Sequence, residues 1–423
     1  MSNQTESTQT TDGKSSLLVV KAGTLVDGTG SAPRRGVQIY VRDGTIEDIG
    51  PSGDVPSDAE VLDYSGQAVV PGLIDCHVHL AFSAGADPLA DLLREDDQTL
   101  LLHASDNARV ALAAGITTVR DLGDRHGVAR VLRDAVNRGI VPGPRIMTAG
   151  APITITGGHC HFLDMQADSV DDVRRAARSQ IRDGADCLKI MATGGRMTPG
   201  TNPKLAQYTV AHVRAAVEEA RRAGLTIAAH ALSADGIRVA AEAAVDTVEH
   251  CNWLALPGAD GLAFDESTAV LMRENGVAFD PTLTPVQGSL SLPPERMSPV
   301  QRAALAIRVE LLGVFRRMLE LGVTMVAGTD AGTRRSTLDK LPGEIGLYVE
   351  QLGLTPVAAI ATATGTAARV LGRADEIGTI QPGRFADLLV VDGDPSADIG
   401  ALKQPRAVIQ GGRLVGEHGR LLR

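Results

Sequence analysis

Aromatic residues are scarce: one tryptophan, four tyrosines and six phenylalanines make up 3% of the 423 residues. The core must therefore be built largely from Ala, Val, Leu and Ile, and a chain of this length with 43% hydrophobic content has ample material for one. Cysteine is nearly as sparse. Cys76, Cys160, Cys187 and Cys251 are scattered without CxxC spacing, which argues against disulfides and for small buried thiols in a reducing compartment. Positive charge is lacking too. The net charge of −10 argues against a nucleic-acid partner, which calls for a basic patch or stripe. No apolar run reaches the roughly eighteen residues of a membrane span. The first fifteen residues, MSNQTESTQTTDGKS, have no apolar stretch of the signal-peptide kind and read as a disordered polar tail. A cytoplasmic protein, with neither membrane nor nucleic acid as partner, is the expectation.

Glycine is abundant, at 46 residues, and suits a fold with many tight strand–helix turns. Residues 16–70 read as short strands and turns. The run Gly36-Val37-Gln38-Ile39-Tyr40-Val41 alternates, and Asp43-Gly44 is a hairpin signal before Thr45-Ile46-Glu47-Asp48-Ile49. The same texture returns over residues 371–423, where Ala386 to Val391 and Arg406 to Ile409 flank turn residues and Gly411-Gly412 gives a last hairpin signal. One small β-sandwich domain built from both chain ends is expected. Between them, over residues 71–370, strand candidates near 69–79, 116–121, 145–149, 186–191, 225–230, 245–250, 277–281 and 323–330 alternate with amphipathic helices such as Asp171 to Asp183 and Val210 to Ala223, the second with Thr209 as N-cap. Eight such units over roughly 300 residues predict an α/β fold of the (β/α)8 TIM-barrel type, with its chemistry at the strand C-termini.

Metal-ligand-type residues fall at those strand ends. His77 and His79 alternate, so a strand of period two presents both imidazoles on one face. Lys189, His230, His250 and Asp330 each close, or nearly close, a later strand-like run. Imidazole and carboxylate suit zinc, manganese, iron or cobalt, whereas calcium and magnesium want more oxygens. A protonated ammonium cannot ligate a cation, but a lysine desolvated beside metals is pushed towards its neutral form. The neutral amine can add carbon dioxide, and the resulting carbamate is a carboxylate able to bridge two ions. Two divalent metals, zinc first among them, would lower the pKa of a shared water to about 7 and polarise a substrate carbonyl. Asp330 could then take the water's proton and pass it to a leaving nitrogen.

The segment Val70-Pro71-Gly72-Leu73-Ile74-Asp75-Cys76-His77-Val78-His79 resembles the first-strand motif of the amidohydrolase superfamily. The runs Lys189 to Gly195, Ala229-His230-Ala231, Glu249-His250 and Ala327 to Gly332 are similar to its imidazolonepropionase-like branch, which includes Xaa-Pro dipeptidases and hydrolases of amides and ureas. The resemblance runs from about residue 17 to 415. It implies that His77, His79 and Asp330 hold one metal, His230 and His250 the other, and carbamylated Lys189 bridges them. It also gives His159, in the Gly157-Gly158-His159 loop, the substrate carbonyl, and leaves His161 without an assigned duty. One departure concerns substrate. Relatives with peptidase activity carry a phenol or phenyl ring soon after the sixth-strand histidine, whereas this chain has Trp253. Trp253 is either an aromatic wall for substrate or packing beneath the loop. Arg196, with Arg334 and Arg335, is either a carboxylate anchor or solvated.

The expected activity is hydrolysis of an amide-type C–N bond in a small molecule: an aromatic or N-acyl amide, urea or carbamate. The alternatives are an Xaa-Pro dipeptidase or carboxypeptidase-like enzyme, a deaminase or cyclic-amide hydrolase, and a non-catalytic assembly protein. The bridging lysine counts against the deaminase or cyclic-amide hydrolase, and the complete ligand set against the assembly protein. A homo-oligomer is expected.

Overall fold

The computed structural model describes residues 17–284 and 299–422. The polar tail expected over residues 1–15 lies outside the described residues. Fifteen strands are found among those described: β1 (Leu18–Leu25), β2 (Arg34–Arg42), β3 (Thr45–Pro51), β4 (Glu60–Pro71), β5 (Leu73–Val78), β6 (Ile116–Asp121), β7 (Arg145–Thr148), β8 (Cys187–Met191), β9 (Thr226–Ser233), β10 (Thr247–Leu254), β11 (Ala278–Asp280), β12 (Leu388–Val391), β13 (Pro405–Gln410), β14 (Arg413–Glu417) and β15 (Arg420–Leu421).

The two chain ends share one eight-stranded sheet, in the order β15-β14-β13-β12-β4-β1-β2-β3. Its hairpins turn where the sequence signals them. Asp43 and Gly44 (φ 50° and 78°) and Gly411 and Gly412 (φ 54° and 74°) supply the paired positive φ that a tight two-residue connection requires. A two-sheet sandwich is expected from the sequence, but these strands hydrogen-bond as a single sheet. It bends back on itself, since Thr45 at the start of β3 bridges Phe385, just ahead of β12. Leu18, Val20, Ile39, Val69, Leu388 and Ile409 pack inside that bend as a core of their own.

The middle of the chain alternates strand and helix. Strands β5-β6-β7 and β8-β9-β10-β11 form two parallel sheets. Parallel bridges join their edges: Ile153 to Ile190, Phe279 to Met325 and Val78 to Ala331. Helices Val170–Arg182 and Val210–Arg222 lie within a residue or so of expectation. The first starts with a capping box between Ser169 and Asp172. Thr209 does sit at the N-cap of the second, but its hydroxyl meets His212 Nδ1 at 2.7 Å instead of a helix N–H.

The strand expected at 323–330 is replaced by an extended segment with one bridge at each end. Side-chain carboxylates take over ladder positions there: Gly328 N–H donates to Asp280 (3.1 Å) and Thr329 N–H to Asp75 (3.1 Å). The main core is aliphatic, as the composition demands. Two of the largest fully buried side chains are nonetheless cationic, Arg120 and Lys189, and both have to be accounted for by function or by pairing. All four cysteines are buried and unpaired.

Candidate active site

His77 is the penultimate residue of β5 and His79 follows the strand, with ring centroids 5.3 Å apart. The backbone N–H of Asp330 donates to the His77 carbonyl (2.8 Å), which brings the 323–330 segment against β5. Asp330 Oδ1 then lies 3.5 Å from His77 Nε2 and 3.3 Å from His79 Nε2. His250 stands 5.3 Å from His77 and 4.8 Å from His230, and His159 lies 4.5 Å from His230, all between ring centroids. The expected stations therefore converge on one place. Lys189, on β8, is buried there and its Nζ has no hydrogen-bond partner among the described residues. Burial, above all, lowers its pKa.

His250 breaks the period-two rule. Consecutive residues of a regular strand face opposite sides, yet Glu249 and His250 both approach His77. The left-handed backbone of His250 (φ 67°) and Cys251 (φ 47°), with the register shift that follows in β10, turns both side chains inward. Asp330 (φ 51°) and the β-branched Thr282 (φ 43°) are held in the same unfavourable region. Such positions cluster where a surrounding structure fixes a site.

Hydrogen bonds to carbonyl oxygens define which ring nitrogens are free. His79 Nδ1 donates to the Gly123 carbonyl (3.0 Å), so its Nε2 presents a lone pair towards Asp330. His230 Nε2 donates to the Gly194 carbonyl (3.2 Å), leaving the Nδ1 lone pair free. His250 Nδ1 meets the Thr282 hydroxyl at 2.8 Å. Burial, then the charge of Lys189, lowers His77 to about 4, and the same two causes lower His159 to about 4. Burial lowers His250 to about 3. His79 differs: burial lowers it, but its pairing with Asp330 Oδ1 at 3.3 Å outweighs burial and raises it, so the lone pair aimed at Asp330 calls for positive charge, a proton or a cation, between ring and carboxylate. The side chains of His77, His79 and Asp330 place ligand atoms within 4.8 Å of one another and fit a divalent ion. His77, Glu249 and Asp280 form a second such group, fully buried.

That second group went unread in the sequence. Glu249 Oε2 lies 3.1 Å from His77 Nδ1, while its Oε1 accepts from Arg120 (2.9 Å) and from the Thr247 hydroxyl (2.5 Å). Burial opposes ionisation of Glu249, but Arg120 and His77 outweigh it and hold the carboxyl well below its usual range. Because Glu249 is already committed to Arg120, the group reads as support for His77 from beneath. A charged Arg between Val119 and Asp121 in β6, a strand of the parallel type that is buried on both faces, was the signal that could have revealed it.

Two substrate expectations fare differently. Trp253 is fully buried, its Nε1–H meeting Met318 Sδ (3.3 Å) and its ring set edge-on to Phe264 (4.9 Å), so it is packing and not a substrate wall. Trp253 therefore gives no support to an aryl substrate. Arg196 is exposed in the loop beside His159, with no carboxylate partner among the described residues. Arg334 and Arg335 are exposed as well, and Arg334 is tied to the Ala86 carbonyl (2.6 Å). His161 sits in a short helical turn, its Nδ1 against the Gly158 carbonyl (3.0 Å). His103, His126, His212 and His418 pair with Glu95, Asp97, Thr209 and Arg406, away from the site.

Comparison with known proteins settles the family. The profile described as "Amidohydrolase family" matches residues 68–415. The chain belongs to the amidohydrolase family. It is 30% identical to ochratoxinase of Aspergillus niger, over 94% of this chain and 86% of that protein. The crystal structure of that ochratoxinase superposes with a TM-score of 0.83 at 26% identity, covering 96% of each chain. A Xaa-Pro dipeptidase crystallised with methionine in its active site is similar to the same degree in fold (TM-score 0.83) and 31% identical, over 94% of this chain and 99% of its own. Family and relatives support a hydrolase acting on amide bonds. Among the described residues no helix is long and apolar enough to cross a membrane.

Proposed function

We propose that this protein is a metal-dependent hydrolase of a carboxylate-bearing amide, working from the C-terminal mouth of a (β/α)8 barrel. Residues 71–370 would form the barrel, and residues 16–70 with 371–423 the β-domain beside it. The parallel bridges that join the edges of the two parallel sheets support that closure.

One observation carries the chemistry: a buried lysine amine with no hydrogen-bond partner among the described residues, close enough to His77, His159, His230 and His250 that its charge would help to hold them neutral. As an ammonium, Lys189 would be a buried charge without a hydrogen bond among the described residues, and the pull of Glu249 and Asp330 does not outweigh its burial. As a neutral amine its nitrogen can bond to carbon dioxide and release a proton, which gives the site a second carboxylate. His77, His79 and Asp330 would then hold one divalent ion and His230 with His250 another, with Lys189 shared. Zinc suits these nitrogen and oxygen donors, and manganese, cobalt and iron are compatible with them. Bound there, the ions would lower the pKa of water and polarise the scissile carbonyl.

The chain's own residues do the rest. Asp330, at the edge of the site, accepts the proton of the attacking water and delivers it to the leaving nitrogen. His159, neutral at physiological pH, offers an N–H to the carbonyl oxygen as negative charge develops on it. Arg196 gives a substrate carboxylate a bidentate partner at the rim. An N-acyl amino acid meets all three groups.

A second reading, an Xaa-Pro dipeptidase, is favoured by the likeness to the dipeptidase structure and uses the same residues. A hydrolysis screen on metal-replete protein decides between them. N-acyl amino acids should give the highest kcat/KM, ahead of Xaa-Pro dipeptides, phenylureas and carbamates. A tenfold or greater preference for dipeptides selects the second reading, and turnover of none of these substrates defeats both.

A further inference from the structure

His159 and Thr198 lie on different loops but share one hydrogen bond, with Thr198 Oγ1 2.9 Å from His159 Nδ1. Both side chains are buried. The same hydroxyl accepts the backbone N–H of Cys160 (2.9 Å), which fills one of its two acceptor positions. Its single O–H must then be donated. Two acceptors are within reach: His159 Nδ1 and the Cys160 thiol, whose titration senses this hydroxyl. Sulfur is a weak acceptor and imidazole nitrogen a strong one, so the proton belongs on the bond to Nδ1. A neutral imidazole that accepts at Nδ1 carries its own hydrogen on Nε2. Among the described residues Nε2 has no hydrogen-bond partner.

The surroundings hold this arrangement. The His159 backbone N–H is fixed by Gln207 Oε1 (2.8 Å), and Gln207 is itself anchored to the Met191 carbonyl (2.9 Å) and the Thr154 hydroxyl (3.2 Å). The loop carrying Thr198 lies flat on the imidazole at Gly195, where an added Cβ would come within 2.3 Å of the ring. Thr201 closes that loop: its hydroxyl accepts the Gly195 N–H (3.2 Å), and its single O–H is shared between the carbonyls of Gly195 and Thr198 (2.9 Å each).

We infer that Thr198 is a positioning residue: it locks His159 as the Nε2–H tautomer, so that the ring is a hydrogen-bond donor, and not a base, towards the substrate carbonyl. The inference rests on the hydrolase reading for its catalytic consequence, but not for the tautomer itself. With the other tautomer, Nε2 would turn a lone pair on a developing oxyanion, and the group would repel what it has to stabilise.

The test uses metal-replete enzyme labelled with 15N-histidine, with the His159 resonances assigned by their loss in His159→Asn. In the wild type His159 should show a protonated Nε2 and an unprotonated Nδ1. Thr198→Val keeps the branched shape and removes the hydroxyl. It should give a tautomer mixture and a 10- to 100-fold lower kcat, with KM and metal content little changed. Thr198→Ser should restore both the spectrum and the rate. A wild-type His159 protonated at Nδ1, or a Thr198→Val protein with unaltered tautomer and kcat, overturns the inference. If the spectra behave as expected while His159→Asn keeps full activity, the tautomer lock stands and the catalytic role given to His159 is what fails.

Discussion

Replacing Glu249 with Gln changes one buried oxygen to an amide and should damage two properties by separable routes. Glu249 and Arg120 are both fully buried and paired at 2.9 Å. With the charge removed, the guanidinium keeps the Cys76 carbonyl (2.6 Å) and at most a neutral amide oxygen from the substituted side chain, and its Nη1 already lacks a partner among the described residues. An unpaired buried charge of this kind costs about 3–5 kcal/mol, a large share of the roughly 5–15 kcal/mol that stabilises a typical domain. The second effect passes through His77, whose Nδ1 faces Glu249 at 3.1 Å. Loss of a carboxylate that orients a metal-binding imidazole lowers metal affinity by about 10- to 100-fold. Urea denaturation of the metal-free protein measures the first effect, and competition with a chelator the second. The double variant Arg120→Met/Glu249→Gln separates them: stability should largely return, since no lone charge remains, while metal affinity stays low. A Glu249→Gln protein destabilised by less than about 1 kcal/mol, the range of a solvent-exposed ion pair, would refute the reasoning. So would recovery of metal affinity in the double variant.

Three further outcomes are expected. Asp330→Asn keeps the size of the side chain but removes its basicity, so kcat should fall by about 10²–10⁴ with little change in KM, measured on protein of verified metal content. Trp253→Ala should destabilise the fold by about 3–5 kcal/mol in chemical denaturation, with kcat/KM ratios between aryl and alkyl substrates unchanged, because the indole is core and not pocket. His77, His159 and His250 are neutral when folded, at about 4, 4 and 3, but protonate near 6.5 once unfolded. The unfolded chain therefore binds more protons between those values, and Tm of the metal-free protein should drop as pH falls from about 6.5 towards 4. A Tm that is flat across that window would contradict the burial of neutral imidazoles.

The parts of the site visible in the sequence were those that obey simple periodicity. His77 and His79 lie side by side as the alternation implies, although the pairing of β5 with β6 shifts register twice before Val78, and Lys189 of β8 and His230 of β9 are buried beside them. His250 was found by its position at a strand end, but not its neighbour Glu249, since a regular strand would send the two apart. The left-handed turn at His250 that unites them leaves no compositional mark. Arg120 stayed hidden because β6 reads as an ordinary strand, and its partner lies 129 residues further on. The eighth strand was over-read: its apolar run is real, but carboxylates from Asp75 and Asp280 take over part of the ladder. Hairpin chemistry placed the turns at both chain ends correctly. It could not show that the resulting strands join one sheet, because which edges meet is decided by tertiary packing.

The central claim is that this chain's imidazoles, Asp330 and Lys189 together build a two-metal centre. Elemental analysis of the purified protein, paired with its Lys189→Ala variant and a hydrolysis assay, tests it most directly. The account predicts about two divalent ions per wild-type chain, fewer in the folded alanine variant, and activity that is lost with Lys189 and with chelation. Wild-type protein that hydrolyses its substrate at full rate without bound metal, or a Lys189→Ala variant with both ions and normal kcat, would contradict it.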